Sequence, residues 1–318
     1  MKTVITGASG LLGRATVKQF KDAGCQGKSN HFDNNNGSDI ALPLIVVGTA
    51  FSRSKGDLIK LDLTDANAVD HFLKEQKPDV LVHCAAERRP DVAERDQDAV
   101  LRLNVETPRN LGKICKNNGI MLIYISTDYV FDGTAPPYEV EDKPNPLNFY
   151  GQTKLDGEEA IKSVYPEVVI LRVPILYGCT EYNAESAINV LIDVVLNHDK
   201  KVTVDNVASR YPTNVEDVGR VLKDLAVAKV ENHKDIRGIY HFSGEESITK
   251  YQVCEIIGKI LNAPIDHLTP QDTVDRAAAV SRPENSHLSS KRLQDSGIDT
   301  NCVRFATWFS ENLGPKDK

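Results

Sequence analysis

The stretch that most constrains this chain is Gly7-Ala-Ser-Gly10-Leu-Leu-Gly13, three glycines at three-residue spacing. Before it, Lys2 to Thr6 is a β-branched run that reads as a buried strand. After it, Leu11, Leu12, Ala15, Val17 and Phe20 supply the apolar rows of a helix. Strand, glycine turn and helix in that order have a mechanical meaning. The glycines allow a tight turn, a close approach of backbone to a pyrophosphate, and close packing of helix on strand. A helix starting at Ser9–Gly10 aims free N–H groups and a partial positive charge at that phosphate. Gly7, Ser9, Gly10, Leu11, Leu12 and Gly13 are therefore expected to face a dinucleotide.

Bulk properties narrow the class. A formal charge of −7 over 318 residues argues against a nucleic-acid groove, and no basic run suggests a membrane surface. No apolar stretch approaches membrane-spanning length, and Met1 directly before the first strand leads us to expect no cleaved leader. The six cysteines are scattered, with no pair at metal-ligand or redox spacing. Reduced thiols in the cytosol, with the nucleus also open, are the plain expectation.

Further along, Gln26 to Asp39 is polar, with almost nothing to bury, and reads as a surface insertion. Leu44 to Phe51 is the second strand, followed by Ser52 and Arg53. At this strand end of a dinucleotide fold an acid binds the adenosine ribose of NAD, whereas an arginine accommodates the 2′-phosphate of NADP. The chain offers Arg53 and no acid, so Phe51, Ser52 and Arg53 point to NADP(H), the other reading of Arg53 being a solvated loop residue. Leu58 to Leu61 is a short third strand. Asp62 beyond it is placed to accept from an adenine amino group, with Leu63 beside it, and Thr64 is expected to cap the next helix, through Lys74. Val80 to Cys84 is the fourth strand, and small Cys84, Ala85 and Ala86 would let a cofactor lie close. Arg88 reads equally as a phosphate ligand or an exposed ion pair, and His83 as packing. A helix is expected through Asn104 to about Asn117, then a fifth strand from Ile120 to Ser126.

That strand leads to Thr127, and a Pro-rich loop leads on to Tyr150-Gly-Gln-Thr-Lys154. Tyr150 and Lys154 are four apart and share a helix face. An ammonium beside a phenol favours the phenolate and lowers its pKa, so such a tyrosine can give a proton to a carbonyl near neutral pH. Thr127 can hold the same oxygen, while a nicotinamide cofactor supplies hydride.

The glycine turn, Asp62-Leu63, Cys84-Ala-Ala86, Thr127 and Tyr150-x-x-x-Lys154 together resemble the extended short-chain dehydrogenase/reductases. The run Ile125 to Gly133, with Pro146 to Gly151, Lys154 to Glu158, Ser281 to Asn285 and Leu288 to Leu293, is similar to the dTDP-4-dehydrorhamnose reductases. His83 to Val92, Leu171 to Gly178 and Thr249-Lys-Tyr251 resemble the regulatory β subunits of methionine adenosyltransferase. That second likeness implies the reductase fold, NADP binding, no known reduction of its own, and association with the catalytic subunit of methionine adenosyltransferase. The first implies instead a sugar-nucleotide reductase acting through Thr127, Tyr150 and Lys154. The charged loop Glu87 to Pro90, where rhamnose reductases carry small and aromatic residues, favours the regulatory reading. In this family the segment after the sixth strand, Val168 to Val173, passes the nicotinamide, which makes Leu176 a contact candidate.

The expected architecture is α/β: one continuous unit over 1–318 with a Rossmann-type doubly wound parallel sheet, mainly dinucleotide-binding to about residue 170. A smaller substrate-side lobe is made of later, partly returning segments, with helices expected over Ser186 to Leu196, Glu216 to Ala228 and Thr249 to Leu261, and a strand at Ile239 to Phe242.

Overall fold

The computed structural model describes residues 1–26, 44–274 and 280–314. Most of the Asn-rich insertion lies outside the described residues. The chain opens with β1 (Lys2–Thr6), α1 (Leu11–Gln26), β2 (Ile45–Ala50), β3 (Ile59–Lys60), α2 (Ala66–Gln76) and β4 (Val80–His83). Two short helices, α3 (Pro90–Ala93) and α4 (Gln97–Leu101), precede α5 (Thr107–Asn118), β5 (Met121–Thr127), α6 (Phe149–Val164), β6 (Val169–Val173) and β7 (Leu176–Tyr177). The remainder is α7 (Val190–Leu196), β8 (Val202–Asp205), β9 (Thr213–Asn214), α8 (Val215–Val230), β10 (Gly238–His241), α9 (Lys250–Leu261), β11 (Leu268–Gln271), α10 (Lys291–Asp295) and α11 (Phe305–Leu313).

Seven strands form one parallel sheet in the order β10-β6-β5-β4-β1-β2-β3. The chain winds outward from β1 to one edge, then returns and winds to the other. The order reverses between β1 and β4, the place where a Rossmann-type sheet opens a crevice for ligands. Period-two alternation divides the core between the faces. Ile5, Met121 and Ile123 pack with Phe20 of α1 and with Val218, Leu222 and Leu225 of α8. Val4, Leu122 and Tyr124 pack on the other face with Phe72 and Leu73 of α2, Leu111 of α5 and Ile161 of α6. A third core joins Tyr177, α7, β8, α9, β11 and α11, with Trp308 and Phe309 edge-on to each other at 4.9 Å. No helix among the described residues is long and apolar enough to cross a membrane.

Three local expectations need correction. Asp65, not Thr64, caps α2, its carboxylate accepting from Asn67 and Ala68 N–H at 3.0 Å, while the Thr64 hydroxyl donates to Asp62 at 2.7 Å. The helix expected through Asn104 is broken by a π-helical turn at Arg102–Glu106. That turn swings Asn104 inward, where it exchanges hydrogen bonds with the Glu87 backbone at 3.0 Å and donates to the Thr153 hydroxyl at 3.2 Å. An inserted turn of this kind commonly marks a functional site. The helix expected from Ser186 starts only at Val190, because the Ser186 hydroxyl takes the Ile188 and Asn189 N–H groups into a tight turn.

Between α6 and β6 lies a buried ion pair. Arg172 of β6 and Glu158 of α6 are both essentially unexposed and pair in a two-point fork, Nε to Oε1 at 2.9 Å and Nη2 to Oε2 at 2.7 Å. His241 completes the guanidinium's surroundings at 3.3 Å, and burial holds that imidazole neutral, its pKa lowered to about 3. Removing one member of such a pair strands a buried charge, whereas replacing both does not. Arg172→Met is therefore expected to cost about 3–5 kcal/mol in urea unfolding, and the double change with Glu158→Leu distinctly less. A double variant as unstable as the single one would refute this account of the pair.

Candidate functional site

The residues expected from the sequence to bind cofactor or move a proton all line one cavity of about 910 Å³ at the carboxyl ends of β1, β2, β4 and β5. Gly7, Ser9, Gly10, Leu11, Leu12 and Gly13 form its floor, and Phe51, Ser52, Arg53, Asp62 and Leu63 one end. Cys84, Ala85 and Arg88 lie along the middle, with Thr127, Tyr150, Lys154 and Leu176 beyond.

The floor has no room for side chains beneath it. Gly7 has φ of +65°, and a Cβ there would sit 2.8 Å from the Ala85 nitrogen. A Cβ on Gly13 would lie 2.1 Å from the Gly7 carbonyl oxygen. Gly10 differs: a Cβ meets only that same oxygen, at 3.2 Å, and otherwise faces the cavity. The glycine turn thus fits a dinucleotide phosphate lying on bare backbone.

Tyr150 occupies the first turn of α6, whose start is fixed by Asn148 accepting from Gly151 N–H at 2.9 Å. Gly151 lets that turn lie against the Tyr129 carbonyl, 2.3 Å from where a Cβ would be. The Thr127 hydroxyl donates to the Asp128 carboxylate at 3.1 Å and accepts from the Tyr129 N–H at 3.2 Å, with Tyr150 beside it in the cavity. Asp128 also takes the Ser286 hydroxyl at 2.5 Å, and burial lifts its pKa to about 6. The expectation that Lys154 acidifies Tyr150 is overturned. Burial drives the phenol well above its ordinary pKa, and Thr127 and Arg88 relieve that only in part. Lys154 lies 4.0 Å from the centre of the Tyr124 ring, and burial lowers its pKa to about 7 against the pull of Glu158. His83 is packing, as expected: it stacks on Tyr124, and its Nδ1 meets the Thr6 hydroxyl at 2.7 Å. Burial raises the Cys84 thiol to about 12, so it stays protonated beside the cavity.

Arg53 lines the cavity with its side chain 40% exposed, and it is ion-paired there. Its Nη1 donates to Glu185 at 2.7 Å and to Glu181 at 3.3 Å. Arg88, also lining the cavity, donates to the Glu185 carbonyl. Arg14 pairs with the Glu185 carboxylate as well, at 2.6 Å. Sequence reasoning gave no role to Glu185, Arg14 or Asp128, nor to Arg210, Lys250 and Arg282, which line the far end. Glu185 had no local signal, since a single acid in a polar loop has none. Arg14 stood one residue past the last glycine, which was a usable one.

Residues 1–307 match the model of the RmlD substrate binding domain family. A curated relative, methionine adenosyltransferase 2 subunit beta of Bos taurus, is 41% identical over 314 residues, 99% of this chain and 87% of that one. A solved dTDP-4-dehydrorhamnose reductase of Clostridium acetobutylicum superposes with a TM-score of 0.78 at 29% identity, over 98% of each chain. That of Bacillus anthracis, solved in complex with NADP, gives 0.77 at 25% identity, over 98% of this chain and 97% of that one.

The floor geometry separates two glycines by experiment. Gly10→Val should leave a folded protein with its dinucleotide site blocked, and Gly13→Val should not fold, because its branch would enter the turn. Circular dichroism with cofactor titration reads both. A folded Gly10→Val protein with unchanged affinity would show that the phosphate lies elsewhere.

Proposed function

We propose that this chain, which belongs to the RmlD substrate binding domain family and to the methionine adenosyltransferase 2 β subunits within it, is an NADP(H)-binding, non-catalytic regulatory subunit of a methionine adenosyltransferase. Its effect is on S-adenosylmethionine synthesis, exerted through the catalytic subunit it binds. The observation that carries this reading is kinship: the chain is 41% identical to a methionine adenosyltransferase 2 subunit beta over 99% of its length, against 31% over 94% to a probable 4-ketoreductase. Tyr150 lines the cavity, and burial raises the pKa of its phenol. The same kinship supports the choice of partner.

The residues present suit NADP(H). Gly7, Gly10 and Gly13 would bear the pyrophosphate, Arg53 the 2′-phosphate, Asp62 and Leu63 the adenine, and Tyr150 and Lys154 the nicotinamide ribose. When bound, the cofactor supplies a hydride-transfer group. Lys154 would then serve as a positive donor to ribose hydroxyls, with Glu158 one helical turn further holding its proton. The second reading, an NADPH-dependent reductase of a dTDP-4-dehydrorhamnose-like sugar nucleotide, rests on Thr127, Tyr150 and Lys154 meeting in one cavity.

Two outcomes follow. Because free Lys154 has a pKa of about 7 and the cofactor would favour its charged form, binding takes up a proton above neutrality. NADPH affinity should be highest below pH 7 and fall above it by up to about tenfold per pH unit, until the bound-state pKa is passed. Lys154→Met should flatten that profile, and an unchanged slope in the variant would remove Lys154 from the site.

The functional choice is decided by Tyr150→Phe. A regulatory subunit should alter S-adenosylmethionine formation by a methionine adenosyltransferase equally well with or without the phenol oxygen. A reductase should lose about 10²–10⁴-fold in NADPH oxidation with dTDP-4-dehydrorhamnose. Sugar-dependent NADPH consumption by wild type alone, with no effect of either protein on the transferase, would establish the second reading instead.

A further inference from the structure

Among the described residues, Glu185 of the later lobe holds three arginines of the nucleotide-binding half, and nothing in the reading above explains it. It follows β7 in a 3-10 turn at Asn183–Glu185 and is 2% exposed. Arg14 grips its carboxylate at two points, Nη2 to Oε2 at 2.6 Å and Nη1 to Oε1 at 3.1 Å. Arg53 Nη1 takes Oε1 at 2.7 Å, and the Glu181 N–H takes Oε2 at 2.9 Å. Arg88 binds the same residue's carbonyl. Burial pushes the carboxyl pKa up, but the bonds from Arg14 and Arg53 outweigh it and hold it at about 2, so it is ionised at any physiological pH. A buried anion therefore sits on the arginine that is read as the 2′-phosphate ligand.

We propose that Glu185 is a built-in stand-in for the cofactor's 2′-phosphate: it holds Arg53 in the cofactor-free chain, gives it up when NADP(H) binds, and so sets how far the chain prefers NADP(H) over NAD(H). The proposal rests on the NADP(H) reading of Arg53. The geometry says which arginine yields. Arg14 is on a helix, tied to the Ser9 carbonyl at 2.7 Å, and its fork satisfies both carboxylate oxygens by itself. Arg53 is on a loop, 40% exposed, and can turn toward a phosphate without stranding Glu185. Glu181, 56% exposed and 3.3 Å from Arg53, adds a second, solvated competitor. A dianionic phosphate entering here must draw Arg53 from two carboxylates and lie near both. NAD(H), which has a hydroxyl in that place, meets neither cost.

The test is a titration of NADPH and NADH against wild type, Glu185→Gln, Glu181→Gln, Arg53→Met and the Glu185→Gln/Arg53→Met double variant. Glutamine keeps the shape and removes the charge; its single carbonyl oxygen keeps one of the two hydrogen bonds from Arg14 and gives up the other. Glu185→Gln should raise the NADPH-over-NADH affinity ratio by about tenfold, chiefly through tighter NADPH binding. Glu181→Gln should raise it by about two- to threefold, since its charge is screened by solvent. Arg53→Met should abolish the preference, and the double variant should show no gain. A wild type without preference for NADPH would bring down the cofactor reading and this proposal together. A wild type that prefers NADPH, with Glu185→Gln weakening both cofactors alike, would make Glu185 a strut between lobes and overturn this proposal alone. Should Glu185→Gln fail to fold, an unchanged ratio in Glu181→Gln overturns it equally.

Discussion

The structure depends on one close contact: the glycine turn pressed against the fourth strand. Gly7 packs on the Ala85 backbone and Gly13 on the Gly7 carbonyl, with no space for a side chain at either place. This contact brings the start of α1 to the point where strand order reverses between β1 and β4. Everything that lines the cavity is measured from there. β2 extends one end toward Arg53, and β5 with α6 extends the other toward Thr127 and Tyr150. A turn opened by a single methyl group would move the helix N-terminus away from the crevice and leave the other cavity walls with nothing to enclose.

What could be read from the residues follows from how local each cause is. The parallel strands, the glycine turn and the Tyr150–Lys154 face are set by short-range periodicity, and the structure carries them within one or two residues at their ends. The breaks in helices were not legible, because their causes are distant. The π turn at Arg102–Glu106 exists to let Asn104 reach Glu87 and Thr153, 17 and 49 residues away in the chain. The late start of α7 depends on Ser186 donating to the Leu176 carbonyl at 2.7 Å. The fate of Arg53 was invisible for the same reason: its partner Glu185 is 132 residues on and belongs to the other lobe. Charge on a surface loop can be read from sequence, but the identity of the group that neutralises it cannot.

The same distinction governs the expected acidity of Tyr150. Helical spacing places an ammonium and a phenol on one face, and that much holds. It does not say how much water reaches them. Tyr150, Lys154 and Asp128 are buried in one region with Tyr129 half-buried beside them, and for each the loss of water is the largest influence. Burial penalises whichever form is charged, so it raises the phenol and lowers the ammonium, driving the pair toward neutrality in both members. A spacing argument counts only the attraction between charges and therefore gives the wrong sign here.

That reversal bears on why a chain can keep Thr127, Tyr150 and Lys154 without reducing anything. The three residues have two separable tasks. One is to hold the ribose and orient the nicotinamide, which needs hydrogen-bonding groups at fixed positions. The other is to move a proton, which needs a phenol whose pKa is matched to its surroundings. The positions are secured from outside the site: Asn148 sets the start of α6, Gly151 lets it lie against the Tyr129 carbonyl, and the Glu158–Arg172 fork ties its far half to β6. None of these supports depends on the acidity of Tyr150. The first task can thus persist with full geometric precision whatever the acidity of Tyr150, and an intact triad is evidence for cofactor binding before it is evidence for turnover.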